Sequence, residues 1–579
     1  MRFPSLKPSR LTRISLALGG IFPPEREREG GFLHTEHLIT EDGCTVTHPS
    51  PAPLSAPVSG RGICAAYVNG QEQICYVANG DLVVGERHHA LSLRDTAHRL
   101  IPFENKILIF PERKYLCPED GTSGELDAAL TTASSVLFTL CRKDGSPYAP
   151  LTTSVTAPDI PNHGDFWLDT ALKPIALRCY SAVRQEWQTV TDTYLRLNCP
   201  GIGIPFHVGD MVTLTGIVPT ELGALNGTHR LAACGEDHLV IAAAPCVTLR
   251  QQSPLSVTRR MPEMDIHTLV LLDGLLYGAF QGKAEDGTYL TKIYAARPQD
   301  LFRQRAADAD SEENEDSPRQ WEISLSEPIT AAIGYDGKPY FFTEHGWLSP
   351  VGQGHAMRFS LTRADGVRAD CGESLCEVNG ALYYLSPRGM MRYDGRQLTE
   401  IPTPPHLAHL RTAAAGGWKT RYYLSATEDS GKSHLLIYDT VGGLWSRADG
   451  IRACDFLLCG RRFCYRNGCD GVIYGWDDPS GNDADRWMAL TAPIFSHHEG
   501  DGRLCRIELS LRGEAGGEVQ VLVGYNGAPP REVLAQAVIT DNLPITLLLH
   551  PRPAPMITLQ IQGRGAIRLE GLTKVLRQA

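Results

Sequence analysis

Sixteen cysteines are the first residues in this 579-residue chain that could do chemistry. The densest group is Cys454, Cys459, Cys464 and Cys469, evenly spaced by five. A zinc knuckle needs two ligands roughly two to four residues apart, and no Cys-x-x-Cys occurs. These thiols therefore read as small hydrophobes in strands, kept reduced in a cytosol. The pairs His88-His89 and His497-His498 have no acidic partner at metal spacing and read as loop histidines. Gly201 and Gly203 lack the strand, helix and third glycine of a nucleotide site. There is no serine nucleophile elbow, no phosphate-binding loop and no sialidase-type Ser-x-Asp-x-Gly-x-Thr-Trp turn. The 66 acidic residues leave paired carboxylates for glycoside hydrolysis open, but no pair stands out by context. On this reading the chain has no catalytic, cofactor-binding or metal-binding residue. Trp167, Trp187 and Trp347 could stack on sugars if they lie on blade loops, with core packing as the other role.

Whatever chemistry exists must be positioned by strands. Asn-Gly and Asp-Gly pairs favour the positive φ angles of tight hairpins. They recur at Asn69-Gly70, Asn79-Gly80, Asp273-Gly274, Asp336-Gly337, Asn379-Gly380, Asp394-Gly395, Asn467-Gly468 and Asp470-Gly471. "CEVNGALYYLSPRGMMRYDGRQLTEI", from Cys376, alternates and turns repeatedly. Segments from Ile63, Arg99, His267, Ile329, Ala413 and Ile451 follow the same order. Tyr294, Trp347, Tyr393, Tyr438 and Tyr474 close their third strands, roughly 35–55 residues apart, which is the period of propeller blades. Tyr438 and Trp445 flank a turn and would fill the space between two blades. A lone small sheet leaves two apolar faces bare, whereas radial stacking buries them and leaves only short edges. The expected fold is all-β: a six- or seven-bladed β-propeller with inserted small β-domains and a C-terminal β-sandwich. A pair of ordinary β-sandwiches is the competing architecture.

The expected boundaries are an N-terminal arm over 1–60, blades over 61–122, inserted β-domains over 123–260, further blades over 261–480 and the sandwich over 481–579. The acidic run from Arg305 to Arg319 reads as a solvated loop. A hydrophobic fraction of 42% and a net charge of −11 suit a soluble protein and argue against a nucleic-acid-binding surface. No apolar run reaches the length of a membrane span. The start "MRFPSLKPSRLTRISLALGGIF" reads as an ordered or docking arm rather than a cleaved signal.

Three stretches carry a resemblance: "LGGIFPPEREREGGFLHTEHLITEDGCTVTHPSP", "LYYLSPRGMMRYDG" with "YYLSATEDSGKSHLLIYDTVGGLWSRAD", and "VGDMVTLTG" with "LNGTH". Together they resemble the β-propeller virion proteins of tailed bacteriophages, of the head-completion (stabilisation) or tail-nozzle type. His37 stands where that opening more often has Asn. The resemblance implies a non-enzymatic structural component of the particle, made in the bacterial host cytoplasm. It implies a homo-oligomeric ring, such as a hexamer, in the neck or tail beside other virion proteins. DNA would pass through that ring without sequence-specific binding, and no cofactor is implied. Gly19, Gly20, Gly31, Phe32, His37 and Leu38 become candidate assembly contacts. Tyr294, Trp347, Tyr393, Tyr438, Trp445 and Tyr474 become blade-packing aromatics. Two other functions stay open: a receptor- or glycan-binding propeller, and a polysaccharide hydrolase on a propeller scaffold.

Overall fold

The computed structural model describes residues 11–16, 18–21, 29–41, 44–47, 51–58, 60–296, 319–352, 356–402, 410–448, 451–476, 486–496 and 502–578. His497, His498 and residues 305–318 of the acidic run lie outside them. Among the described residues the chain is all-β, with helix limited to short 3-10 turns. It divides into two compact units. The first comprises Met1–Asn105, Leu325–Val351 and Arg358–Ala579, and the second Lys106–Ser324 and Gly352–Met357.

Propeller blades dominate the first unit. Four antiparallel strands in chain order form each sheet: Ile63–Val68, Gln71–Ala78, Asp81–Val84 and Arg87–Ala90; Ala331–Tyr335, Lys338–Thr343, Gly346–Val351 and Arg358–Arg363; Cys376–Val378, Ala381–Leu385, Met390–Tyr393 and Leu398–Glu400. A fourth set, Leu410–Trp418, Arg421–Glu428, Ser433–Asp439 and Leu444–Ala448, follows the same order. The last blade uses Ala453–Cys459, Arg462–Asn467 and Ile473–Gly475, and takes its outer strand, Ala52–Pro53, from the start of the chain. The hairpins are tight because their sequence permits it. At Asn379-Gly380 both residues have positive φ, +51° and +72°, as a two-residue hairpin of matching twist requires.

Aromatic faces hold successive blades together. Phe342 and Trp347 pack against Tyr384 and Tyr393 of the next blade, with ring centroids 5.2 and 5.0 Å apart. Tyr383 meets Tyr422 at 5.6 Å and Tyr438 at 5.9 Å. Tyr423 meets Phe463 at 4.7 Å and Trp476 at 5.2 Å. Each contact removes a large apolar face from water, the driving force that makes sheets stack. First strands also sit beside first strands. Cys376–Val378 adjoins Leu410–Trp418, which adjoins Ala453–Cys459, which adjoins Ile63–Val68. They form the inner tier of the blades.

Beyond the blades, two antiparallel sheets share one apolar core. Ile507, Leu509, Val521, Leu559, Ile561 and Leu572 are among its members. The described strands among the first 50 residues are woven into this region. Leu11–Leu16 pairs with the final strand, Phe32–Glu36 pairs with Trp487–Thr491, and Leu38–Glu41 pairs with both Cys44–Thr47 and Leu444–Ala448.

The second unit holds an eight-stranded antiparallel sheet between Ala128 and Arg259. Its apolar cluster includes Phe138, Leu197, Leu214 and Val257. The buried Asp210 carboxylate accepts a hydrogen bond from Arg259 at 2.8 Å. This unit also contains a small sheet around Trp167 and the strands Val270–Leu272, Leu275–Lys283 and Tyr289–Ala296.

Candidate functional site

The N-terminal ends of the inner strands bring charged groups from three blades into one neighbourhood. Asp455 lies on Ala453–Cys459. The strand bulges between Ala453 and Asp455 against its partner, which interrupts the alternation and re-aims the side chains. Arg466, on the neighbouring strand, has its guanidinium 4.0 Å from the Asp455 carboxylate and is itself almost wholly buried. The same guanidinium donates to the carbonyl of Val58 at 3.0 Å, which fixes its reach.

Arg61 stands immediately before Ile63–Val68, the first strand of the next blade. Its carbonyl accepts the backbone N–H of His98 at 2.9 Å, and the His98 imidazole lies 3.3 Å from that oxygen. Gly62 makes this close passage possible, because a Cβ there would fall 2.7 Å from the His98 carbonyl oxygen. Glu373 lies in the 3-10 turn Gly372–Ser374 that leads into Cys376–Val378. That turn is pinned on both sides. The Ser374 hydroxyl accepts the N–H of Leu385 at 3.1 Å, and the Ser374 carbonyl accepts the Tyr422 hydroxyl at 2.7 Å. Gly372 fits against the Thr330 carbonyl, where a Cβ would fall 2.2 Å from the oxygen.

These groups act on one another. Burial raises the Asp455 carboxyl above the ordinary carboxylate range, and the nearby negative charge of Glu373 raises it further. Arg466 and Arg61 oppose the shift without cancelling it. About a quarter of the Asp455 side chain still meets solvent. Glu373 and Arg61 are exposed. The adjacent Cys454 thiol is pushed up to about 12 by burial and by Asp455, so it stays neutral and donates towards the Asp455 carboxylate at 3.7 Å. The arrangement is a carboxyl held towards its protonated form near a second, exposed carboxyl group, with two guanidinium groups at hand. A carboxyl whose hold on its proton is strengthened, near a second carboxyl group, is the kind of pairing that general acid catalysis uses.

The residues singled out in the sequence lie elsewhere. Gly19, Gly20, Gly31, Phe32 and Leu38 are buried within their own chain, and His37 is half-buried at a φ of +54°. The N–H of Ile21 reaches the Trp445 carbonyl at 2.7 Å, and Gly20 donates to the Thr40 hydroxyl at 3.2 Å. Trp347, Tyr393, Tyr438 and Trp445 pack between blades, with Tyr438 and Trp445 at 4.8 Å. Tyr474 stacks on Tyr465 at 5.6 Å within its own blade. Tyr294 lies in the strand Tyr289–Ala296, opposite Gly278. Trp167 is buried against Trp187 at 5.5 Å, and its indole N–H donates to the Ser154 carbonyl at 3.1 Å. Trp167 and Trp187 thus meet within the second unit, and Trp347 belongs to a blade of the first. Among the described residues no group of three or more His, Cys, Asp or Glu side chains is placed to hold a metal ion. Asp455 and Glu373 went unread in the sequence because 82 positions separate them and only the stacking of blades unites them.

The fold defines the chain as an all-β protein of propeller blades. No protein-family model matches it, and no curated protein matches it in sequence. In structure it is similar to an exo-β-1,3-galactanase from Phanerochaete chrysosporium, at 13% identity and a TM-score of 0.23, over 53% of this chain and 94% of that one. It is similar to a family 43 arabinoxylan arabinofuranohydrolase from Bacillus subtilis, at 8% identity and a TM-score of 0.17, over 69% and 92%. It is also similar to an acylaminoacyl peptidase from Pyrococcus horikoshii, at 10% identity and a TM-score of 0.25, over 77% and 59%. These neighbours correct two expectations. The sequence reads as a non-enzymatic virion component, whereas these structural neighbours are glycosidases and a peptidase. The particle role and the absence of catalysis are both set aside, and no residue's role is taken from these distant structures.

Proposed function

We propose that the chain is a polysaccharide hydrolase whose chemistry lies at the N-terminal ends of the inner strands. Asp455 is the general acid and Glu373 the second carboxylate. The observation that supports this reading is the convergence of Asp455, Glu373 and Arg61 from three blades, with Asp455 held towards its protonated form. Glycoside hydrolysis asks for that division of labour between two carboxyl groups. Asp455 gives its proton to the glycosidic oxygen as the bond to the anomeric carbon breaks. Water adds to that carbon and gives its own proton to Glu373. Proton return from Glu373 to Asp455 through solvent restores the site. The exposed Arg61 orients hydroxyl groups, and Arg61 and Arg466 together balance the charge of the pair. A finer architecture goes with this reading: the blades form a wheel of six or seven, and residues 481–579 form a β-sandwich.

The test is the release of reducing ends from a panel of neutral polysaccharides. Asp455→Asn and Glu373→Gln should each lower turnover by about 100-fold or more while the protein still melts cooperatively. A wild-type chain that releases nothing from any polysaccharide would remove the reading. So would variants that turn over as fast as wild type.

A further inference from the structure

A second site lies outside the blades, on the solvent face of the sheet that packs over the Ile507–Leu509 core. Five strands lie side by side there: Phe32–Glu36, Trp487–Thr491, Met556–Arg564, Glu518–Tyr525 and Glu532–Val538. Strand register places Glu36 opposite Met488, Met488 opposite Gln562, Gln562 opposite Gln520, and Gln520 opposite Gln536. One row of side chains therefore crosses the whole sheet, about 19 Å from end to end at the usual strand spacing. Residues between them in sequence, such as Val519 and Ile561, point into the core. The face is consequently polar by construction. It lines a groove of about 490 Å³.

The amides in this groove are ordered. The Gln560 amide donates to the Gln562 carbonyl oxygen at 2.7 Å, and the Gln562 amide donates to the Gln520 carbonyl oxygen at 2.8 Å. Each side chain is thereby fixed, with donors and acceptors left over, because a primary amide offers two N–H groups and two lone pairs. The Gln520 N–H₂ group, at the end of the relay, has no partner among the described residues. Glu36 ends the row and Glu518 lies beside it, and Arg486 and Arg564 balance their charge, so the groove has little net charge. The Met488 thioether adds an apolar spot to the floor.

We infer that this groove binds an uncharged glycan chain. Sugar hydroxyls donate and accept at once, and rigid planar amides meet both needs at fixed spacing. A neutral groove gives neither an anionic nor a cationic ligand an advantage. Its length suits several linked sugar rings rather than a single one. The inference is separate from the hydrolase reading, since it needs no bond cleavage and uses none of the residues at the inner strands.

Affinity electrophoresis of the full chain tests it, using gels cast with neutral polysaccharides (arabinoxylan, β-1,3-galactan, β-glucan) or with anionic polygalacturonate. At least one neutral gel should retard the wild-type protein, and polygalacturonate should not. The double variant Gln520→Ala/Gln562→Ala should weaken the retardation by about tenfold or more, whereas Asp455→Asn should leave it unchanged. Gln536→Glu places a charge at the exposed end of the row, and it should weaken binding even if the double variant fails to fold. Migration unaffected by every neutral polysaccharide would overturn the inference. Full retardation of both groove variants, or retardation by polygalacturonate alone, would do the same. A wild-type chain that is retarded by a neutral polysaccharide yet releases no reducing ends from any would count against the hydrolase reading only.

Discussion

Asp455 owes its chemistry to its surroundings, and those surroundings can be altered one residue at a time. Its carboxyl is raised first by burial and then by Glu373. A raised acid costs the folded state stability at any pH where the unfolded chain has already released that proton. The penalty is relieved as pH falls through its folded value and is gone below the unfolded value of about 3.9. Asp455→Asn removes the ionisable group. It should therefore raise the melting temperature at pH 7.5, with the gain shrinking to nothing below about pH 4. A gain that stays constant across pH would show that burial does not disfavour the charged form. Activity follows the same group, because the general acid must carry its proton: turnover should fall as pH rises through the Asp455 value. Arg466 pulls that value down, so Arg466→Met should move the alkaline limb of the pH profile upward, as measured by reducing-end release. Little of this was legible in the sequence. The bulge at Cys454 breaks the alternation that would assign Asp455 to a face, and Glu373 sits in a turn with no motif of its own.

Strands were far easier to read than the site, and for a physical reason. A hairpin is encoded locally, so Asn69-Gly70, Asn79-Gly80, Asp273-Gly274, Asp336-Gly337 and Asn379-Gly380 adopt the positive φ pairs that their residue types suggest. The aromatic period was legible too, since Trp347, Tyr393 and Tyr438 face neighbouring blades. Asp394-Gly395 turns by a different device: the Asp394 carboxylate accepts the N–H groups of Arg396 and Gln397 at 3.1 and 2.8 Å. Close approach between inner strands was not legible, because it depends on partners distant in sequence. The strand Leu410–Trp418 reads "LRTAAAGGW", and its small residues let neighbouring first strands come near. A Cβ on Gly416 would fall 2.5 Å from the Cβ of Phe456 in the next blade, and one on Gly417 would fall 2.8 Å from the Glu377 carbonyl oxygen. Gly416→Val should therefore force two inner strands apart and cost about 1–3 kcal/mol, read from the midpoint of urea unfolding. An unchanged midpoint would mean that the inner tier yields without resistance.

At the scale of the molecule, the opening residues matter because the first unit closes through them. Ala52–Pro53 completes the last blade by pairing with Tyr474 and Gly475, and the N–H of Leu54 reaches the Ile473 carbonyl at 2.7 Å. The Ser55 hydroxyl accepts the N–H of Ile473 at 3.0 Å, across 418 positions of sequence. Upstream, Leu16, Leu18, Phe32 and Leu38 belong to the core shared by the two terminal sheets, while Ile21 packs with Tyr438 and Trp445. A fully buried side chain of this size contributes about 1.5–3 kcal/mol, so the five together contribute roughly 8–15 kcal/mol. That equals the whole net stability of an ordinary domain, about 5–15 kcal/mol. Removing residues 1–58 also strips the edge from the strand Ile473–Gly475 and leaves its hydrogen-bonding groups bare. The shortened chain should therefore lose its cooperative melt, become sensitive to protease throughout the first unit and aggregate, as followed by circular dichroism, limited proteolysis and light scattering. A detachable arm would behave in the opposite way, leaving a monomer that melts within a few degrees of the full chain. That outcome would mean that the blades and the terminal sheets hold together without their closing strands.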